Sequence, residues 1–188
     1  GDANVYSSYE GTGGVEMSNF FLRLLFAIRL GDTNLVLSDR INNETRVLLY
    51  RQIREMVNTV SPYLQLDDDP YIVMANGRLY WMMDAYTTSH NFPFATPLSN
   101  GVNYIRNSVK IVIDAYDGSI TYYLADEDDP IIQAYSQIFP NLYQPLADMP
   151  DYLQSHIRYP EDLFTWQAQQ YAKYHMLDTR VFYNEEDL

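Results

Sequence analysis

Alternating apolar and polar positions predict a β-hairpin within residues 103–124. Two alternating runs flank Asp117-Gly118, and a two-residue type I′ turn needs the positive φ that glycine adopts freely. With that turn as the loop, Ile113 pairs with Tyr122, and the other apolar side chains fall on the same face. A slip of one residue would turn this face outward, so we expect this register.

A second hairpin is predicted within residues 71–83, with Asn76-Gly77 as its turn. Ile72 then pairs with Trp81. Both faces of these strands are apolar, which is typical of central strands covered on both sides. We expect the two hairpins to form one antiparallel sheet.

Helical spacing of apolar residues predicts helices before and after the hairpins. The first begins near Ser18 and ends at Gly31, with an apolar stripe along it, and the second runs from about residue 43 to Val60. Three more begin at proline, which loses nothing at the first helical position. These begin at Pro130, Pro150 and Pro160. The predicted fold class is α+β, with one sheet packed between N-terminal and C-terminal helices.

Length and charge narrow the possible partners. The 188 residues are 47% hydrophobic, which indicates one α+β domain over residues 1–188. The net charge of −13 is uneven: residues 1–60 carry six arginines and seven acidic side chains, whereas residues 61–188 carry six basic and 18 acidic ones. Such a surface repels a phosphate backbone and anionic lipid headgroups, so we expect no nucleic-acid partner.

The chain has no cysteine, which excludes disulfides and thiolate metal sites. No apolar run reaches the ~18 residues of a membrane span, so we expect no direct membrane insertion by this segment. The chain begins with Gly1-Asp2, without an initiator methionine or a signal peptide. We therefore expect it to be a piece of a longer protein.

Two acidic runs, residues 67–69 and 126–129, are candidate cation sites. Calcium takes several carboxylate and carbonyl oxygens from flexible loops, and both runs lie where a strand meets a loop. Because a proline follows each run, roles in turns and helix caps are the alternative. The candidate calcium ligands are Asp67, Asp69, Asp126 and Asp128; no other cofactor is expected.

A binding surface for a peptide or sugar is predicted on the strands around residues 86–107. Aromatic rings and polar groups occur together there, although aromatics also supply much of a buried core. The candidate ligand-binding residues are Tyr86, Thr87, Ser89, Tyr104, Arg106 and Asn107. No nucleophile elbow or Ser/His/Asp pattern is present, so no catalytic residue is assigned.

Long ordered stretches of the chain resemble one family. They are Gly11-Thr12-Gly13-Gly14-Val15, Asp69-Pro70-Tyr71, Gly77-Arg78-Leu79-Tyr80-Trp81, Asp84-Ala85-Tyr86-Thr87-Thr88-Ser89, residues 103–118, Asp129-Pro130-Ile131-Ile132, Arg158-Tyr159-Pro160-Glu161-Asp162-Leu163-Phe164, Tyr174-His175-Met176 and Phe182-Tyr183-Asn184. The chain is similar to multi-pass membrane proteins grouped as uncharacterised protein family 0182. This resemblance implies a slice of a large extracytoplasmic region that follows several membrane helices, in a bacterial or archaeal cell envelope, with residues 185–188 ending in mid-protein. It carries over no catalytic residue.

Two functions remain open at this point. The first is a non-catalytic ectodomain in the cell membrane that binds an envelope peptide or glycan, or that supports the remainder of the same membrane protein. The second is a cation-assisted envelope hydrolase that uses carboxylates of the acidic loops, with His156 or His175 as the base.

Overall fold

A six-stranded sheet forms the centre of the structure, a computed structural model that describes residues 9–184. Its strands are β3 (Gln65–Leu66), β4 (Tyr71–Ala75), β5 (Arg78–Ser89), β6 (Tyr104–Asp114), β7 (Ile120–Leu124) and β8 (Tyr143–Pro145). They lie in the order β3-β5-β6-β7-β8. Strand β4 pairs with the same edge of β5 as β3 does, further along that strand. All pairs are antiparallel except β7 with β8. The α+β class and the shared sheet of the two hairpins are confirmed.

The hairpin of β4 and β5 has the predicted register. Ile72 pairs with Trp81, and Asn76 and Gly77 have φ values of 49° and 74°. These positive values are those of a type I′ turn. The expectation that both faces are covered is wrong for β4, because it pairs only with β5 and leaves Ile72 and Met74 exposed.

The hairpin of β6 and β7 has a register two residues away from the predicted one. Ile113 pairs with Ile120 instead of Tyr122, so the loop contains the four residues 115–118. The predicted type I′ turn is wrong. The apolar faces are unchanged because a shift of two residues preserves the alternation of side chains.

The Asp114 side chain explains this wider loop. Its Oδ1 accepts the backbone N–H groups of Tyr116 (2.8 Å) and Asp117 (3.2 Å), and its backbone carbonyl accepts the N–H of Gly118 (2.8 Å). An aspartate that bonds the amides two and three residues ahead forms its own turn. The turn therefore begins at Asp114.

Helices surround the sheet, and most begin at a capping residue. Asn19, not Ser18, caps the first helix, and Gly31 ends it with φ 68°. The helices are α1 (Phe20–Leu30), α2 (Asn34–Leu37), α3 (Ile53–Val60), α4 (Pro130–Ile138), α5 (Asp151–Gln154), α6 (Glu161–Tyr174) and α7 (Thr179–Asn184). The start of α4 at Pro130 is confirmed, whereas Pro150 and Pro160 are N-cap residues, so α5 and α6 begin one residue later than predicted. Helix α7 has no counterpart in the sequence prediction. Residues 1–8 and 185–188 lie outside the described residues.

The predicted helix over residues 43–60 is wrong in its first half. Arg46–Val47 forms a strand, β2, that pairs with β1 (Val15–Glu16). The Arg46 guanidinium donates to the carbonyl of Thr12 (3.0 Å) and contacts Glu16, which holds this segment extended. Tyr50 has φ 50°, a left-handed conformation that no α-helix accommodates.

Layers pack on both faces of the sheet, although β4 keeps one face exposed. On one face, Val57 of α3 and Ile132 of α4 pack on Ile111. On the other, Met149 and Leu153 pack on a cluster of strands β4 to β7. Each fully buried aliphatic side chain stabilises the fold by about 1.5–3 kcal/mol, so these two layers fix the position of the strands.

Candidate functional site

A bulge in β6 distributes the polar residues of the sheet between its two faces. Ala85 pairs with Val109 but Thr87 pairs with Arg106, so β6 has one extra residue there. Ser108 consequently contacts the α4 side of the sheet, as Val109 does. Two buried polar clusters result, one on each face.

The Asp129 cluster consists of Asp129, Thr87, Ser108 and Tyr104. Asp129 Oδ2 accepts the hydroxyls of Thr87 and Ser108, the latter at 2.7 Å. Its Oδ1 accepts the hydroxyl of Tyr104 at 2.6 Å. Asp129, Thr87 and Ser108 are all fully buried. One carboxylate therefore joins β5, β6 and the start of α4.

Asp129 also caps α4. It accepts the backbone N–H groups of Ile131 (3.1 Å) and Ile132 (3.3 Å). Burial raises the pKa of Asp129, but the bonds from Ser108, Thr87 and Tyr104 outweigh burial and hold the pKa below its ordinary value. The carboxylate is ionised at neutral pH and its lone pairs are occupied.

The Asp67 cluster lies on the other face and consists of Asp67, Tyr86, Asp84 and Lys110. Asp67 Oδ2 accepts the Tyr86 hydroxyl and, at 3.3 Å, the backbone N–H of Asp162. Its Oδ1 accepts the N–H of Asp69 at 2.9 Å. Burial and then the Asp67 bond raise the pKa of Tyr86, so this phenol stays protonated. Asp67 thus links β3, β5 and α6.

Asp84 and Lys110 form a buried ion pair across β5 and β6. Burial raises the pKa of Asp84, and the Lys110 charge and a bond from Asn107 oppose this rise. Such a pair holds strands in register only while both partners are present, because a single buried charge is costly.

The six predicted ligand-binding residues are on neighbouring strands but do not share one surface. Tyr86 and Thr87 are fully buried, with their hydroxyls bonded to Asp67 and Asp129, so neither side chain lies on the surface of this structure. The remaining four are Ser89, Tyr104, Arg106 and Asn107, which are exposed or half-buried. Of these, the Tyr104 hydroxyl is bonded to Asp129, and the pKa of Tyr104 is raised by burial and by that bond to about 12.

The four predicted calcium ligands are not brought together. Asp67 is engaged in its own cluster, while Asp126 pairs with Arg106 at 2.9 Å and accepts the backbone N–H of Asp128 at 3.3 Å. Within residues 9–184, no three His, Asp or Glu side chains are arranged to hold a metal ion. The acidic runs form turns and a helix cap, which is the alternative that the following prolines indicate.

Helix α1 presents an exposed apolar surface for which the sequence predicts no role. Its apolar stripe faces outward: Phe20, Phe21, Leu24, Leu25 and Ile28 are all exposed. Together with α2, the helix borders an apolar groove of ≈ 390 Å³. The apolar run was visible in the sequence, but periodicity alone does not tell whether a stripe faces the core or solvent.

None of the helices within residues 9–184 combines the length and the apolar character needed to cross a bilayer. No solved structure matches this chain.

Comparison with known sequences identifies the family. A family model described as "Uncharacterised protein family (UPF0182)" matches residues 1–188. The chain is 54% identical to a UPF0182 protein of Pelotomaculum thermopropionicum, 53% identical to one of Cupriavidus necator and 49% identical to one of Methanospirillum hungatei. Each alignment covers 100% of this chain but only 20% or 21% of the relative, so the chain spans about one fifth of these relatives' length. The chain belongs to the uncharacterised protein family UPF0182.

Proposed function

We propose that this chain is a non-catalytic binding or scaffolding domain of a longer membrane protein, on the extracytoplasmic side of the cell envelope. The observation that supports this proposal is that the buried carboxylates are bonded to other parts of the chain. The buried carboxylates Asp67, Asp84 and Asp129 are each engaged in bonds that join strands and helices. Groups with such partners are built for stability, and a catalytic group needs a free side facing a substrate.

The remainder of the same polypeptide is the first partner under this proposal. Relatives about five times as long contain this segment, and an exposed apolar helix is a surface on which other parts can pack. An envelope peptide or glycan is the second partner class. Its contact residues would be Ser89, Arg106 and Asn107, which lie near the ends of β5 and β6.

The alternative, a cation-assisted hydrolase, has no observation in its favour. It would require carboxylates of the acidic loops to meet beside a histidine base. Asp126 is paired with Arg106, and the His175 ring contacts the carbonyl of Ala172 at 2.6 Å. These side chains have local partners in place of a shared cavity.

A calcium titration separates the two functions. Under the proposal, the melting temperature of this chain is the same in excess calcium and in excess chelator, because a ligand that does not bind the folded state adds no stability. The control is the Asp126→Asn, Asp128→Asn double variant, measured in the same way. A calcium-dependent rise of several degrees that the double variant abolishes would contradict the proposal and favour the hydrolase.

A further inference from the structure

The exposed face of α1 is continuous and free of charge. At 100° per residue, Phe20, Leu24, Ile28, Phe21 and Leu25 follow one another around an arc of about 140°. All five are at least 39% exposed, and Ile28 reaches 72%. Single exposed apolar residues are ordinary, but a contiguous patch of this kind marks a surface that another molecule or segment covers.

Helix α1 buries few of its side chains against the rest of the described structure. Only Phe26 and Ala27 of its eleven residues are buried. Covering the exposed parts of these five side chains would remove further apolar surface from water, a stabilisation that the described residues do not supply. This unused free energy is available to a partner.

The groove between α1 and α2 has the shape that a helix requires. Its lining includes the small residues Ala27 and Gly31, which lie one turn apart, and the apolar side chains Ile28, Val36 and Leu37. A Cβ built at Gly31 meets nothing within 4 Å, so the space beside Gly31 is open. Grooves with an apolar lining accept the side chains of an amphipathic helix.

We propose that this groove binds an apolar helix from the remaining part of the same polypeptide. The proposal deepens the scaffolding function and rests on it. About four fifths of the length of the related proteins lies outside the segment that this chain matches, so the covering helix has an abundant source within the same protein. A tethered segment also binds at high effective concentration, which makes a modest groove sufficient.

Two other occupants fit the groove less well. A bilayer would use Arg23 and Arg29, which border the apolar arc, to reach lipid phosphates. Arg23 instead donates to Asn43 at 2.8 Å and Arg29 to Tyr50 at 3.1 Å, so both guanidinium groups have partners within the domain. A second copy of the chain would have to reach the groove by diffusion, whereas a segment of the same polypeptide is held near it.

Photo-crosslinking in the full-length protein tests the occupant. A photo-reactive phenylalanine derivative replaces Ile28 in the full-length protein, with the same replacement at Met74 as the matched control. Met74 is 78% exposed and apolar, and it lies on the edge strand β4. We expect an internal crosslink from position 28 to a helix outside this segment, and none from position 74. Crosslinks from position 28 to a second copy or to lipid, or no crosslink at all, would overturn the proposal.

Hydrogen exchange gives an independent readout. In the full-length protein, amides 20–37 should exchange at least tenfold more slowly than in this chain alone, and the double change Ile28→Glu, Leu37→Glu should remove that difference. Met74→Glu should leave it unchanged. Since Ile28 and Leu37 are more than 70% exposed, the double variant should melt within 2 °C of the unmodified chain. Equal exchange in the two proteins would contradict the docking, whereas a calcium response in the titration above would contradict only the non-catalytic function.

Discussion

Asp129 joins three elements through one carboxylate. It receives bonds from Thr87 of β5, from Ser108 and Tyr104 of β6, and from the first turn of α4. Three of these donors are side-chain hydroxyls, and two of those belong to fully buried residues. Removing the acceptor would leave these donors without a partner in a site that water does not reach, and this costs more than the loss of an ordinary helix cap.

Asp129→Asn should therefore destabilise the protein by about 2–4 kcal/mol, because the charge that accepts three hydroxyls is lost and the amide NH₂ would face the backbone N–H of Ile131 or Ile132, which cannot accept a hydrogen bond. Equilibrium denaturation at pH 7 measures this loss, and Asp128→Asn, on an exposed neighbour, is the control. The ordinary pKa near 3.8 applies to the unfolded chain, and the folded pKa of Asp129 is lower. The stabilisation is hence complete above pH ~5 and is lost as pH falls through the folded pKa. A variant as stable as the parent would mean that Asp129 is not the common acceptor.

The Asp84–Lys110 pair gives a second prediction at this scale. Lys110→Met leaves the Asp84 carboxylate buried without its cation and should cost about 3–5 kcal/mol. Adding Asp84→Leu to this variant should recover most of the loss. Because burial already raises the pKa of Asp84, the single variant should regain stability as pH falls and the carboxyl is protonated. Thermal denaturation of both variants across pH 4–8 tests this, and a single variant with unchanged stability would contradict it.

At the scale of elements, the turn between β6 and β7 depends on a glycine. Gly118 has φ 75°, and a Cβ built on it would lie 3.2 Å from the Met56 Cε of α3. Gly118→Val should therefore destabilise by about 1–3 kcal/mol through strain at positive φ. Gly118→Asn, which tolerates this conformation better, should cost less in the same denaturation experiment. Equal stability of the valine variant would show that the backbone here is not constrained.

Elements defined by neighbouring residues were predictable from the sequence. Asn76-Gly77 fixes its own turn, and Pro130, Pro150 and Pro160 mark helix starts because their effect on the backbone is local. The alternation of Ile111 and Ile113 placed the correct face inward even where the register was wrong by two residues.

Elements set by distant partners were not predictable. The strand at Arg46 depends on the Gly-rich segment 34 residues earlier. The turn at Asp114 is a different case: its amide partners are only two and three residues ahead, but the Asp117-Gly118 pair gave a competing turn signal. Of the candidate site, the sequence located the right strands. It could not show that Tyr86 and Thr87 face inward, because the bulge in β6 and the neighbours that bury them come from elsewhere in the chain. For the same reason, the sequence could not show that the apolar face of α1 is exposed.

At the scale of the whole molecule, the buried carboxylates and the exposed apolar face lie in different parts of the structure. The sheet holds its carboxylates in buried clusters, while the N-terminal helices present an uncharged apolar face. Residues 61–188 contain 18 of the 25 acidic side chains, whereas the proposed docking groove is lined by residues 24–37. Under the docking proposal, association would use α1 and α2 and leave the charged surface around the sheet exposed.

The many tyrosines have a consequence for alkaline solution. Within residues 9–184, burial raises the pKa of eight tyrosines: Tyr63, Tyr71, Tyr80, Tyr86, Tyr104, Tyr122, Tyr123 and Tyr143. An unfolded chain loses these protons near pH 10, before the folded one does, so base favours unfolding. Ultraviolet absorbance of the phenolate would then rise in step with the loss of structure. The protein carries its own optical reporter of its folded state, with no added dye.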